Sequence, residues 1–155
     1  MRKVLVVAVG LLLIASVAVA QSKDSKWHCD QPSSEKSLEV GDVAGHSFVI
    51  EQGNCTSTES AIGEKSGIFT EFLENWKTSG TVKGRFNVTL ESGDKIFHSY
   101  QSTFDPVKKT IAEKWTVVNG TGKYKGAKGS GTCTGKLNDD GTSDWNCSGI
   151  IKAAK

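Results

Sequence analysis

The chain has 155 residues, 19 of them basic and 17 acidic, for a formal net charge of +2. Both surplus charges, Arg2 and Lys3, stand at the extreme N-terminus, and the rest of the chain is formally neutral. Neutrality removes the electrostatic basis for a nucleic-acid partner, which needs surplus Lys and Arg to neutralise phosphates, and the length fits one domain with one core.

Met1-Arg2-Lys3 is followed by a nearly unbroken apolar run from Val4 to Val19 and by the small residues Ala18-Val19-Ala20. This pattern reads as an export signal cleaved before Gln21. The run falls short of the roughly 20 residues of a spanning helix, and position 21 is not a cysteine that could carry a lipid. The expected organisation is a signal peptide at 1–20 and one domain at 21–155, with no membrane span after cleavage and a periplasmic or extracellular location. All four cysteines, Cys29, Cys55, Cys133 and Cys147, lie in the exported part, where an oxidising compartment makes two disulfides the expectation. No CxxC occurs and the three histidines are scattered, so no metal is expected.

The mature chain then reads as successive short strands. His46 to Glu51 is apolar at Phe48, Val49 and Ile50 and is bounded by Gly45 and Gly53. Ile68 to Trp76 fits a strand or a short helix equally well. Thr81 to Leu90 alternates, with Val82, Gly84, Phe86, Val88 and Leu90 on one face. After the turn at Ser92-Gly93-Asp94, Lys95 to Phe104 returns with Ile96, His98, Tyr100, Ser102 and Phe104 on one face. Ile111 to Val118 puts Ile111, Glu113, Trp115 and Val117 together. Lys128 to Leu137 and Ser143 to Ile151 flank Asn138-Asp139-Asp140-Gly141, a strong turn signal. A hairpin that sets Asn138 opposite Thr142 also sets Cys133 opposite Cys147, within reach of a disulfide. By elimination Cys29 pairs with Cys55. Six to eight such strands predict an antiparallel barrel or sandwich, and closure would remove exposed sheet edges.

The segment VNGTGKYKGAKGSGTCTG (118–135) holds six glycines. It contains no GxxxxGK followed by Ser or Thr. Both near-matches to GxGxxG, starting at Gly120 and at Gly129, place the last glycine one residue late. A nucleotide cofactor is therefore excluded, and no cofactor is expected. Asn119-Gly120 is a tight-turn pair, and the later glycines suit close backbone approach or sharp strand coiling.

Residues 118–129 are similar to the GTG-basic-aromatic-x-G-A-basic-G signature of allene oxide cyclase and dirigent-like barrels. Most of 27–151 resembles small exported bacterial proteins with an allene-oxide-cyclase-like barrel, through Trp27, Cys29, Gly41-Asp42, Gly45-His46-Ser47, Gly53 to Cys55, Gly93-Asp94-Lys95 and Tyr100-Gln101. The resemblance implies an all-β fold, an antiparallel eight-stranded β-barrel of the calycin or dirigent-like kind. In it Gly120 to Gly129 forms a turn and one helical turn between neighbouring strands. It also implies a barrel that steers a reactive lipid or phenolic intermediate, but no catalytic residue carries over position by position.

No GxSxG or HExxH occurs, and Ser, His and Asp in a serine-rich chain do not make a triad. Candidate ligand-binding residues are Phe86, His98, Tyr100, Glu113 and Trp115, which share the regular strand faces. Glu113 interrupts an apolar face, so burial would raise its pKa unless a donor or cation meets it. The plain alternative is that these groups are satisfied in the core or face solvent, since mixed strand faces are more often structural. His46, a lone histidine near a strand, reads the same way. The sequons at Asn54, Asn87, Asn119 and Asn146 are best explained by abundant Ser and Thr. The favoured function is a non-enzymatic barrel that binds a small apolar or aromatic ligand. The alternatives are a cyclase- or isomerase-like enzyme using Glu113 or His98, and a structural or protein-binding module.

Overall fold

The computed structural model describes residues 23–154; the export signal expected at 1–20 lies outside them. Nine strands follow in order: β1 (Lys23–Cys29), β2 (Ser34–Glu39), β3 (Ser47–Glu59), β4 (Glu64–Trp76), β5 (Ser79–Leu90), β6 (Lys95–Asp105), β7 (Thr110–Gly120), β8 (Lys128–Leu137) and β9 (Ser143–Lys152). All are antiparallel to their sequence neighbours from β2 onward, and β1 pairs with both β9 and β3. That last pairing closes the sheet into an eight-stranded barrel. β1 and β2 share one edge of β3: β1 meets it at Cys55 to Glu59, and β2 at Ser47 to Gln52.

Both disulfides tie residues that directly face each other on adjacent strands. Cys133 and Cys147 pair across β8 and β9 with Cα atoms 4.1 Å apart, in the hairpin register set by Asn138 and Thr142. Cys29 and Cys55 pair across the closing seam, with Cα atoms 3.9 Å apart. Stapling the seam limits the splaying that would expose two strand edges.

Four elements go beyond the sequence expectation. β3 runs past Gly53 to Glu59 instead of ending near Glu51, because Gly53 is not a terminator: its bare Cα faces the ring of Phe69 on β4. β4 is a strand. Its ambiguity arises because apolar residues occupy both faces, Phe69 and Leu73 inward and the exposed Ile68 and Phe72 outward, which erases the two-residue period. β1 and β2 had no counterpart in the reading; β2 is exposed along its whole length and carries no alternation.

One end of the barrel is plugged. Leu90, Ile96 and Ala127 are buried there with Tyr124, which sits in a single turn of 3-10 helix (Gly122–Tyr124) between β7 and β8. The Asn119 side-chain oxygen accepts hydrogen bonds from the backbone N–H of Gly120 (2.9 Å) and Gly126 (3.0 Å). Thr121 Oγ1 accepts from Lys95 N at 2.7 Å, tying this loop to the start of β6. The glycine-rich segment thus folds as the expected turn and helical turn, and it closes the barrel floor.

Inward-facing aromatic rings do not fill the rest of the barrel. Six of them lie along the wall over glycines: Phe69 over Gly53, Phe86 over Gly67, Tyr100 over Gly84, Phe104 over Gly80 and Trp145 over Gly135, each on the neighbouring strand, and Trp115 over Gly131 on β8 and Gly149 beyond it on β9. A Cβ at Gly84 would stand 2.3 Å from Tyr100 Cζ, well inside van der Waals contact. Gly84→Ala must therefore lift the Tyr100 ring into the lumen. We expect a loss of about 1–3 kcal/mol, the usual range for forced overpacking, measured by urea unfolding. A loss within about 0.5 kcal/mol, the level of an ordinary surface substitution, would show that the ring is not seated on this glycine.

Candidate functional site: the barrel cavity

Laying the rings on the wall leaves a cavity of roughly 540 Å³. Its lining includes exposed Asp30 and Gly141, so it reaches the surface at the end of the barrel opposite the plug. All five candidate residues from the sequence, Phe86, His98, Tyr100, Glu113 and Trp115, line it. Strand alternation on β5, β6 and β7 brings them together, and the register sets Phe86 beside His98 and Tyr100 beside Trp115. The His98 ring lies 5.0 Å from Trp115 and 6.3 Å from Phe86, centroid to centroid. Trp27, from a strand that is not a neighbour of β5, meets Phe86 edge to face at 5.0 Å. Trp27, Phe86, His98 and Trp115 thus form one continuous aromatic surface.

The polar groups are few and concentrated. Ser102 donates to Glu113 Oε2 at 3.1 Å, and the Tyr100 hydroxyl donates to Glu71 Oε2. Glu71 faces Glu51 directly across β3 and β4. Sequence reasoning missed both of these carboxylates: Glu51 stood at the supposed end of its strand, and Glu71 in the stretch that fitted either strand or helix. The available signal was their alternation with Val49 and Leu73, once the strand assignment is made.

Burial governs the protonation of this group. The Glu113 carboxyl is pushed up to about 7 by desolvation, only partly offset by the Ser102 hydrogen bond. Glu51 is raised to about 8 by burial, then by its hydrogen bond to Glu71 and the charge of Glu71. Glu71 is also raised, by burial, although its bonds to Glu51 and Tyr100 pull the other way. Two like charges this close cannot both ionise cheaply, so Glu51 and Glu71 hold a proton between them. Burial holds the Tyr100 phenol well above its ordinary value. His98 is pushed down to about 4 by burial, against a smaller opposing pull from Glu64, and its Nε2 is buried without a hydrogen-bond partner among the described residues. At neutral pH the imidazole is uncharged.

His46 belongs to a different environment. It is buried outside the cavity, with Nδ1 2.7 Å from Asp42 and Nε2 3.3 Å from Glu74, and it stacks on Trp76 at 3.6 Å. Its polar atoms are satisfied by neighbours, as the plain reading of a lone histidine expects. Among the described residues no cluster of three or more His, Cys, Asp or Glu is placed to hold a metal ion, and no helix is long and apolar enough to cross a membrane.

The sequence matches no protein-family model and no curated protein. In fold the chain is similar to a solved dirigent protein, a pterocarpan synthase, at 14% identity and a TM-score of 0.49, over 87% of this chain and 90% of that one.

The opposed shifts of His98 and the carboxyls fix a pH signature. A carboxyl raised in the folded state, such as Glu113, stabilises the fold fully below its unfolded value of 4.5 and loses that contribution as pH rises through about 7. His98, depressed from 6.5, stabilises above 6.5 and loses that contribution as pH falls through about 4. The two slopes oppose each other at mildly acidic pH; above about 6.5 the carboxyls act in the same direction as His28, raised by its hydrogen bond to Asp144, and His46, raised against burial by its bonds to Asp42 and Glu74. Unfolding free energy should therefore fall between about pH 6.5 and 8, by up to roughly 1.4 kcal/mol per unit for each ionising group. Glu113→Gln should flatten that slope in urea titrations. An unchanged slope in the variant would mean that Glu113 is ionised in the folded protein throughout.

Proposed function

We propose that the protein is a small-molecule binder that takes an apolar or aromatic ligand into its barrel. The observation that carries this reading is the cavity itself: roughly 540 Å³, walled by aromatic rings and aliphatic side chains, with one group of hydrogen-bonded polar side chains at Glu51, Glu71, Tyr100, Ser102 and Glu113. Concave apolar sites with a small number of placed polar groups are the usual form of small-ligand pockets. Phe86, His98, Tyr100, Glu113 and Trp115 would make the contacts. Two disulfides support export to an oxidising compartment, and so does the signal-like N-terminus.

A neutral aromatic probe such as 1-naphthalenemethanol tests this. Trp27, Trp115 and Trp145 line the cavity, so titration should quench tryptophan fluorescence saturably. A concentration about a hundredfold above the dissociation constant should stabilise the fold by ~2.7 kcal/mol. Leu73→Trp, which places an indole in the lumen, should abolish both effects. Absence of saturable quenching, or identical binding by the variant, would sink the reading.

A second reading is favoured by one observation: Glu113 is a neutral acid at mildly acidic pH inside an enclosed apolar cavity. A barrel of this kind could steer a reactive lipid or phenolic intermediate, as the sequence resemblance implies, with Glu113 or His98 assisting. Product from a prochiral phenol, oxidised by one electron in the presence of the protein, should then show an excess of one enantiomer. Racemic product removes this reading for phenolic intermediates.

A further inference from the structure

The cavity lining has one sign of ionisable group. Asp30, Glu51, Glu64, Glu71 and Glu113 line it, and among the described residues no Lys or Arg does. The only basic side chain in it, His98, is enclosed by Phe86 and Trp115 and makes no hydrogen bond among the described residues. Its imidazole is a buried polar group whose hydrogen-bonding capacity the protein does not use, and such groups are uncommon enough to require a reason.

The placement of the acids adds to this. Tyr100 and Trp115 are register partners on β6 and β7. Glu71 meets the Tyr100 hydroxyl, and Glu113 lies two residues before Trp115 on the same inward face. Two carboxyls thus flank a pair of aromatic rings that are pressed along the wall over Gly84, Gly131 and Gly149, so that their broad faces border the lumen. Ring faces attract cations, and carboxyls within a few ångströms supply the counter-charge. An anionic ligand would enter the same space with no cation to meet it and with its own hydration lost.

Resting on the reading of the barrel as a binder of small aromatic or apolar molecules, we propose that its ligand carries a cationic nitrogen. The charged end of this lipophilic ammonium lies between Glu71 and Glu113 over Tyr100 and Trp115, and its apolar body extends toward Phe86 and His98. The titratable groups that face this position are Glu51 from β3, Glu71 and Glu64 from β4, His98 and Tyr100 from β6 and Glu113 from β7, with Asp30 at the rim. None carries positive charge at neutral pH. Without the ligand, burial raises Glu51, Glu71 and Glu113 and keeps them largely protonated at mildly acidic pH. The incoming cation favours the carboxylate form, so at mildly acidic pH one carboxyl proton passes to solvent as the ammonium binds.

Three probes of one shape isolate the charge: 1-naphthylmethylammonium, 1-naphthalenemethanol and 1-naphthoate. Each is titrated into the purified protein by calorimetry near pH 6 and near pH 8, in two buffers of different ionisation enthalpy. The ammonium should bind at least ~10-fold more tightly than the alcohol near pH 8, a difference of about 1.4 kcal/mol, and naphthoate should bind weakest. The ammonium's advantage should shrink near pH 6. There its apparent enthalpy should differ between buffers by the equivalent of roughly one released proton. Glu113→Gln should narrow the gap between ammonium and alcohol. Alcohol binding as tight as ammonium binding at both pH values, or an enthalpy near pH 6 that does not depend on buffer, overturns the cation inference and leaves the binding reading standing. Failure of all three probes to bind overturns both.

Discussion

Everything distinctive about this barrel depends on the seating of inward rings on inward glycines. Eight-stranded barrels are narrow enough for side chains to fill, and a sequence with this many inward aromatics would ordinarily fill one. Here most of these rings reach sideways along the wall and cover a bare Cα, as Tyr100 does at Gly84 and Trp115 at Gly131 and Gly149. Cross-strand pairing of a ring with a glycine shields backbone that would otherwise be exposed and leaves the centre free. The aromatic surface is therefore a lining around a hollow, and the hollow is what makes the remaining polar groups available to a ligand.

The chemistry of the lining follows from that hollow. Carboxyls placed in a packed core would need full pairing or would not be tolerated. Along a wall they can persist as neutral acids, two of them bonded to hydroxyl donors, Ser102 to Glu113 and Tyr100 to Glu71. The arrangement departs from the usual rule of satisfied interiors at His98. Departures of that kind are expected where a site serves something other than stability. Outside the cavity the contrast is plain: the buried His46 has a carboxylate at each ring nitrogen and a ring stacked against it.

Much of this was legible in the sequence, for reasons that differ between elements. β5, β6 and β7 alternate cleanly, so their shared faces and the grouping of Phe86, His98, Tyr100, Glu113 and Trp115 could be read directly. The turn at Asn138 to Gly141 fixed the register that joins Cys133 to Cys147. The side of the sheet that faces inward could not be read, because Arg85 and Lys83 mark one face of β5 as polar while Glu113 and His98 make the other mixed. β1 and β2 were illegible: the first is short and lies beside charged residues, and the second buries nothing. Glu51 and Glu71 escaped because glycine reads as a strand terminator when it is in fact a seat for a ring, and because β4 is apolar on both faces. The segment 118–135 shows the same ambiguity. Its early glycines shape a loop that plugs the floor, with positive φ at Gly122 and Gly126, and its later ones carry Trp115 and Trp145.

An open lumen and cross-strand bridges belong together. A barrel that leaves roughly 540 Å³ unfilled forgoes the burial and dispersion that a packed core of the same size would gain. Bridges that restrict the unfolded chain restore part of that deficit without occupying the lumen. Here they span 26 and 14 residues of sequence, separations at which a disulfide contributes on the order of 3 kcal/mol. Their positions matter as much as their number. Cys29–Cys55 holds the seam where the first described strand meets β3, a pairing that no hairpin turn makes. Cys133–Cys147 stiffens the β8–β9 hairpin that carries the glycine seats for two tryptophans. The bridges therefore act at the closing seam and on the hairpin whose glycines seat Trp115 and Trp145, and both leave the lumen open.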